Sequence, residues 1–220
     1  GQTVGSTFDN KNVGSNKTVT VNSITLADGS NGGLAANYSI SAGQTTTANI
    51  TAKSLTVSGI TASNKVYDGS TNATLDASSV AYSGLVNGDT FIGSYTGAFN
   101  NANVGTGKTV NITSSYSGSD VNNYSVTDQS STTADISTKA LTATASTANK
   151  TYDGGTTAST TLTFTGLVGS ETLGQTVGST FDNKNVGSNK AVTVNSITLA
   201  DGSNGGLAAN YSISAGQTTT

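Results

Sequence analysis

Apolar residues alternate with Thr, Ser and Asn along most of this chain, in short runs broken by glycine-rich turns. A period of two places alternate side chains on one face of a strand. Val19 and Val21 therefore share a face, and Ile24 and Leu26 continue the same strand. The phase slips near Asn22-Ser23, which predicts a β-bulge or a bend. Residues Ala27–Gly33 carry loop chemistry, Tyr38 and Ile40 share the next face, and Ala48 and Ile50 form a closing strand. The order then recurs. Leu55/Val57 and Val80/Tyr82 precede a turn at Gly84–Asp89 that is expected to leave Asp89 at the surface; Phe91, Tyr95 and Phe99 hold the middle, and Val110/Ile112, Tyr124/Val126 and Ala134/Ile136 follow. Leu141/Ala143/Ala145, Leu162/Phe164, the turn at Gly166–Gly169 and Val192/Val194/Ile197/Leu199 repeat it again. No segment has helical periodicity. Six or seven short alternating strands per repeat predict an all-β sandwich.

The pattern recurs because the sequence does. Gly1–Thr47 reappears as Gly174–Thr220 with one difference, Thr18 against Ala191. A fainter copy lies between them. Phe-Asp-Asn-Lys-Asn-Val-Gly at Phe8–Gly14 and Phe181–Gly187 becomes Phe-Asn-Asn-Ala-Asn-Val-Gly at Phe99–Gly105. Asn-Tyr-Ser recurs around Tyr38, Tyr124 and Tyr211, and Lys-x-Tyr-Asp-Gly occurs at Lys65–Gly69 and Lys150–Gly154. These spacings predict tandem small β-sandwich, immunoglobulin-like repeats of about 86 residues, with β-grasp-like repeats as the alternative. The boundaries read as 1–52 for the C-terminal part of a repeat, 53–138 for a complete repeat, and 139–220 for a repeat lacking its last strand. The first piece, without its opening half, is not expected to fold alone.

Composition narrows the chemistry. Charged residues make up 10% and hydrophobic residues 33% of the chain, with a net charge of −3. All nine basic residues are lysines, scattered along the chain. A nucleic-acid surface needs a basic patch with arginine forks and stacking aromatics, so no nucleic-acid partner is expected. No apolar run approaches the roughly 20 residues of a membrane span. Histidine and cysteine are absent and Glu171 is the only glutamate, which leaves no base for a serine nucleophile and no zinc ligand set. Asp28, Asp89, Asp120 and Asp201 fall in loops without the close spacing that calcium needs. No catalytic residue, metal site or cofactor is expected. Lys17, Lys108 and Lys190 recur at one repeat position and read as solvated surface residues.

Lys-x-Tyr-Asp-Gly, then Gly-Leu-Val-x-x-Asp/Glu, then Asn-Val-Gly, then Asn-Tyr-Ser-Ile/Val, occur in that order in both full repeats. This series resembles the YDG and MBG repeat families, found in the stalks of large secreted bacterial adhesins of the filamentous-haemagglutinin-like, two-partner-secretion kind. The resemblance implies a repetitive extracellular β-domain at the bacterial cell surface or matrix, with a structural or adhesive role and no defined catalytic site. The expected partners are neighbouring repeats of the same chain or fibre; a cell-surface or matrix polysaccharide, bound through loops such as Ala27–Gly33, is the rival. The motif residues are then structural: Tyr67, Asp68 and Gly69 with their copies Tyr152, Asp153 and Gly154, in which the tyrosine packs in the core or at a domain junction while Asp-Gly makes the turn; Tyr38, Tyr124 and Tyr211 at the core edge with the hydroxyl on a polar partner; and Phe8, Phe99 and Phe181. If the long period continues, residues after Thr220 in the natural protein will resemble Ala48–Lys53. Peptide mapping reads this directly, and an unrelated continuation would refute the two-repeat period.

Overall fold

The computed structural model describes all residues from Gly1 to Thr220. It is all-β, a series of several sheets, and its only helical elements are three one-turn 3-10 segments, Ala35–Asn37, Val121–Asn123 and Ala208–Asn210. Each 3-10 segment leads into an Asn-Tyr-Ser motif. No helix covers a sheet, as a β-grasp arrangement requires. Between Lys53 and Ser137 there are ten strands rather than six or seven, because turns such as Lys65–Val66 and Asn72–Ala73 form two-residue ladders.

The chain folds into two compact units, neither of which is a sequence repeat. One comprises residues 1–59, 78–95 and 114–129; the other comprises 60–77, 96–113 and 130–220. The middle repeat is thus divided between them, part with the repeat before it and part with the repeat after it.

In the first unit, Gln2–Phe8, Gly14–Leu26 and Thr45–Ile50 form an antiparallel three-stranded sheet. The bulge predicted at Asn22-Ser23 is present: pairing passes from Gly5 opposite Ser23 to Ser6 opposite Val21, which skips Asn22. The Asn22 amide donates to the Thr7 hydroxyl at 2.8 Å. The bulge lets the strand run for 13 residues while valines before it and Ile24 after it keep to a usable face. A second sheet places Lys53–Ser58 between Ala81–Ser83, antiparallel, and Tyr124–Thr127, parallel. Leu55 and Val57 are buried behind it. Phe91 is the hub of the aromatic packing, with ring centroids 5.0 Å from Tyr116, 5.3 Å from Tyr82 and 5.8 Å from Tyr124.

The second unit repeats this plan. Leu173–Phe181 and Val192–Asp201 pair with the same one-residue skip, here at Asn195. Lys139–Ala140 runs parallel to Tyr211–Ser212 with Lys139 opposite Tyr211, the register in which Lys53 faces Tyr124. Its core draws on two repeats at once: Tyr67, Phe99, Val110, Ala134 and Ile136 from the middle repeat pack with Leu141 and Tyr211 from the third. Removing this apolar surface from water is the main stabilising term, and neither repeat buries its share alone.

Ile136 is 1% exposed. Ile136→Ala will therefore destabilise this unit by about 2–5 kcal/mol, through lost burial and the cavity left behind. A urea titration followed by tyrosine fluorescence measures the loss; a change below about 0.5 kcal/mol, the size of an ordinary surface substitution, would mean that this core is not the one that holds the unit together.

Candidate functional site: the junctions between repeats

The Lys-x-Tyr-Asp-Gly motif is a self-contained turn. Asp68 Oδ1 accepts from the Ser70 amide at 2.8 Å and from the Lys65 ammonium at 2.8 Å. The ammonium also donates to the carbonyls of Ser70 (2.7 Å) and Asn72 (3.1 Å) and lies 5.4 Å from the centre of the Phe99 ring. Lys150 does the same in the third repeat, on Asp153 (2.8 Å) and the carbonyls of Gly155 and Thr157, above Phe181. Gly69 and Gly154 have φ of 75° and 79°, a region that costs glycine nothing. Lysine at the first position and aspartate at the fourth are therefore explained by turn closure, not by a ligand.

The Phe-x-Asn-x-Asn-Val-Gly loop is locked in a comparable way. Asn10, Asn101 and Asn183 each accept, through the side-chain oxygen, the amide two residues on and the ammonium of Lys17, Lys108 and Lys190 respectively. Lys17 and Lys190 also pair with Asp9 and Asp182. The Lys17 side chain is 9% exposed, so the expectation that these lysines are simply solvated does not hold: the Lys17 ammonium reaches two loop oxygens, of Asn10 and Asp9, and its stem is covered.

These locked loops carry the backbone of one repeat onto the next. In the first unit, the Val13 amide donates to Asn123 Oδ1 at 2.9 Å, and the Asn123 amide donates to Asn12 Oδ1 at 3.2 Å. Lys11 places its ammonium 2.7 Å from both Asp89 Oδ1 and Asp120 Oδ1. The other Asp89 oxygen accepts the Tyr124 hydroxyl at 2.6 Å, and that hydroxyl accepts the Val86 amide at 3.0 Å. Asp120 Oδ2 accepts from the Thr90 amide and the Ser119 hydroxyl, both at 2.9 Å. The Lys11 bond, with help from these two donors, holds the Asp120 carboxyl down to about 2. Lys11 is correspondingly held above the usual ammonium range by Asp120 and Asp89.

The second unit builds the same junction one repeat later. The Val104 amide donates to Asn210 Oδ1 at 3.0 Å, and the Asn210 amide donates to Asn103 Oδ1 at 3.1 Å. Asn210 is 1% exposed, so this reciprocal pair satisfies groups that water does not reach. Glu171 stands where Asp89 stood. Its two oxygens accept the hydroxyls of Tyr67 and Tyr211, each at 2.6 Å, while the Tyr211 hydroxyl accepts the Val168 amide at 2.9 Å. The two tyrosine rings meet edge to face at 5.4 Å. A Cβ on Gly69 would lie 2.8 Å from Val168 Cγ1, so this glycine also permits the close approach of the two repeats. Burial first, then the Glu171 bond, pushes the Tyr67 hydroxyl up to about 12.

The structure therefore brings Tyr67, Tyr124 and Tyr211 to the junctions, with Phe99 buried beneath one of them. It does not do this for every copy. Tyr38 is 70% exposed and Tyr152 59% exposed, and Phe8 is also exposed. Residues 1–52 contain no counterpart of the turn that covers Phe99, and no repeat front stands against Tyr152 in this chain. Asp89 is a correction: it is not a surface turn residue but the acceptor of both Tyr124 and Lys11. Lys11, Asp120, Asn123 and Asn210 were not legible as site residues. The signal was present in the differences between copies, since Lys11 and Lys184 become Ala102 while Leu34 and Leu207 become Asp120. A family model described as YDG domain matches the chain three times, over residues 2–48, 51–134 and 137–220. No curated protein and no solved structure matches the chain.

The junctions hold groups that titrate in opposite directions. A carboxyl lowered from 3.8 to about 2, as in Asp120, stabilises the folded state above pH 4, and that contribution is lost as pH falls toward 2. A phenol raised from 10.0 to about 12, as in Tyr67, stabilises it below pH 10 and loses its contribution as pH rises toward 12. Urea midpoints measured across pH should therefore fall at both ends. Asp120→Asn will make the acid fall shallower, leaving the parts due to Asp9, Asp68, Asp89, Asp153 and Asp182, whose carboxyls are lowered by their lysine partners. Tyr67→Phe will make the alkaline fall shallower, leaving the parts due to Tyr95, Tyr116, Tyr124 and Tyr211, whose phenols are raised first by burial. Unchanged limbs in both variants would disprove the assignment.

Proposed function

The chain belongs to the YDG-domain family, and from that premise we propose that its repeats are structural spacers in the stalk of an extracellular bacterial adhesin or surface fibre, supporting attachment to cells or to a biofilm matrix. The observation that carries this reading is that the recurring motifs are spent on joining one repeat to the next. Asn-Val-Gly meets Asn-Tyr-Ser through reciprocal amide bonds, Gly-Leu-Val-x-x-Asp/Glu receives the tyrosine hydroxyls, and Tyr67 completes the second junction. A chain whose repeated residues build joints is suited to spanning distance and carrying load. It performs no reaction in this reading, and its partners are the repeats on either side. Few charges, no cysteine and many short Thr-rich strands suit a domain that is exported and folds outside the cell.

The rival is a set of carbohydrate-binding modules acting through loops such as Ala27–Gly33 and Ala200–Gly206, which contain no aromatic residue for stacking on a sugar ring. Deleting one whole two-repeat period from the secreted parent protein separates the two. A spacer predicts that attachment to the target surface persists while the reach of the fibre, measured by atomic force microscopy, shortens by one period. Attachment that falls in proportion to the repeats removed, together with glycan-array binding by the 220-residue chain that disappears on replacing those loops, would overturn the spacer reading.

A further inference from the structure

The two junctions share a hydrogen-bond frame and, apart from Tyr67, for which residues 1–52 hold no counterpart, differ at three positions, and these differences are correlated. Where the preceding repeat offers Lys11, the following front carries Asp89 and Asp120. Where it offers Ala102, the front carries Glu171 and Leu207. Ala102 packs against the apolar core of its junction, and each Glu171 oxygen accepts one tyrosine hydroxyl, from Tyr67 and Tyr211. We propose that these positions form a pairing code, in which a lysine-bearing loop accepts only an Asp-Asp front and an alanine-bearing loop accepts only a Glu-Leu front.

The mismatched combinations fail for stated reasons. An alanine loop on the Asp-Asp front would leave Asp89 and Asp120 facing each other with no cation, and the repulsion between them already works against ionisation of Asp89. Like charges in partial burial are costly unless paired. A lysine loop on the Glu-Leu front would set a long cationic side chain where Ala102 packs on the apolar core, and would find Leu207 in place of one of its two carboxylates. Like therefore does not follow like, and the two repeat types must alternate. Specificity of this kind rests on penalties for the wrong partner as much as on contacts with the right one.

The code also assigns an occupant to an open surface. The loop Phe181–Gly187 is identical to Phe8–Gly14, yet Val186 is 88% exposed and Tyr152 59% exposed. These two residues line an open groove with Lys184 and Asn185. Within this same chain the identical loop sits on Asp89, Asp120 and Asn123. The groove is therefore the docking face for a repeat front of the middle type, not for a front bearing Leu34 or Leu207. This inference concerns which repeats join and stands whether or not the array is an adhesin stalk.

The test uses the full 220-residue chain and reads amide hydrogen exchange at Val13 and Val104, whose N–H groups close the two junctions. Ala102→Lys is expected to speed exchange at Val104 by about tenfold or more, as that junction opens locally. Adding Leu207→Asp with Glu171→Asp, which rebuilds the first junction's chemistry in the second, is expected to restore protection to within about threefold of the parent. Lys11→Ala is expected to expose Val13 in the same way, with recovery on adding Asp120→Leu. The unaltered junction in each variant serves as the internal control for folding. The code is overturned if Ala102→Lys leaves Val104 as protected as in the parent, or if the rescuing substitutions leave it as exposed as the single variant. A chain extended at Thr220 by a second copy of the middle repeat should protect the Val186 amide, whereas one extended by a second copy of residues 137–220 should not; equal protection in both would equally refute the code.

Discussion

Everything in this structure depends on one constraint: the front of each repeat contains a carboxylate and an asparagine that cannot be left in a partly buried site without partners, and the partners come from the repeat before. Asp89 and Glu171 sit at the same place in the Gly-Leu-Val turn and receive the tyrosine of their own Asn-Tyr-Ser motif. That leaves one oxygen and one neighbouring amide to be satisfied from outside. Lys11 and Val13 do this in one case, Tyr67 and Val104 in the other. Unmet, such groups would cost more than a made hydrogen bond contributes. The polar frame thus sets the register of the joint, and apolar contacts between Tyr67, Tyr211, Leu141 and the middle repeat's valine and isoleucine core supply most of its stability.

This arrangement explains why compactness and sequence repetition disagree. A chain of small domains with independent cores would divide at the repeat boundaries. Here the divisions fall inside the middle repeat. Small β-domains bury a limited fraction of their surface. Sharing a core with a neighbour raises that fraction without adding disulfides or metal, and the sequence has no cysteine to offer. Stability in such an array is a sum over repeats and junctions, and in this chain the junction term is large.

Much of the fold could be read directly from the residues. The period-two pattern located the longer strands but not the two-residue ladders, and Tyr38 and Ile40 lie in no strand; the phase slip at Asn22 located the bulge, and the Asp-Gly dipeptides located turns. These are local effects, and alternation or a glycine reports them. The parallel pairing of Lys53 with Tyr124 and of Lys139 with Tyr211 was not legible, because a parallel partner lies some 70 residues away and leaves no local trace. The junction was half legible. The motifs were recognisable as recurring residues, but recurrence does not say whether a tyrosine faces its own core or its neighbour's front. Asp89 was misplaced for the same reason: Gly-Asp in a turn looks the same to local rules whether solvent or a lysine stands opposite. Lys17 read as solvated because a long cationic side chain usually is, and only the three-dimensional loop gathers the oxygens that hold it.

The departures between copies carry as much information as the identities. Residues 1–47 and 174–220 differ at a single position, while the intervening repeat has diverged almost everywhere except at its motifs. Neighbouring domains of the same sequence are prone to exchange strands as they fold, and repeat proteins commonly misassemble in this way. Alternating two types places unlike sequences side by side and keeps near-identical ones a full repeat apart. A mispaired strand from the next domain would then meet side chains unlike those of its own partner. The Lys11–Asp120 pair and its replacement by Ala102 and Leu207 extend that discrimination to the finished joint. A partly exposed ion pair adds little to stability, so its value here lies in what it forbids: without the cation the front keeps two adjacent, largely covered carboxylates with no counter-charge. The joint is thereby specified by charge and held by burial, and each can vary without loss of the other.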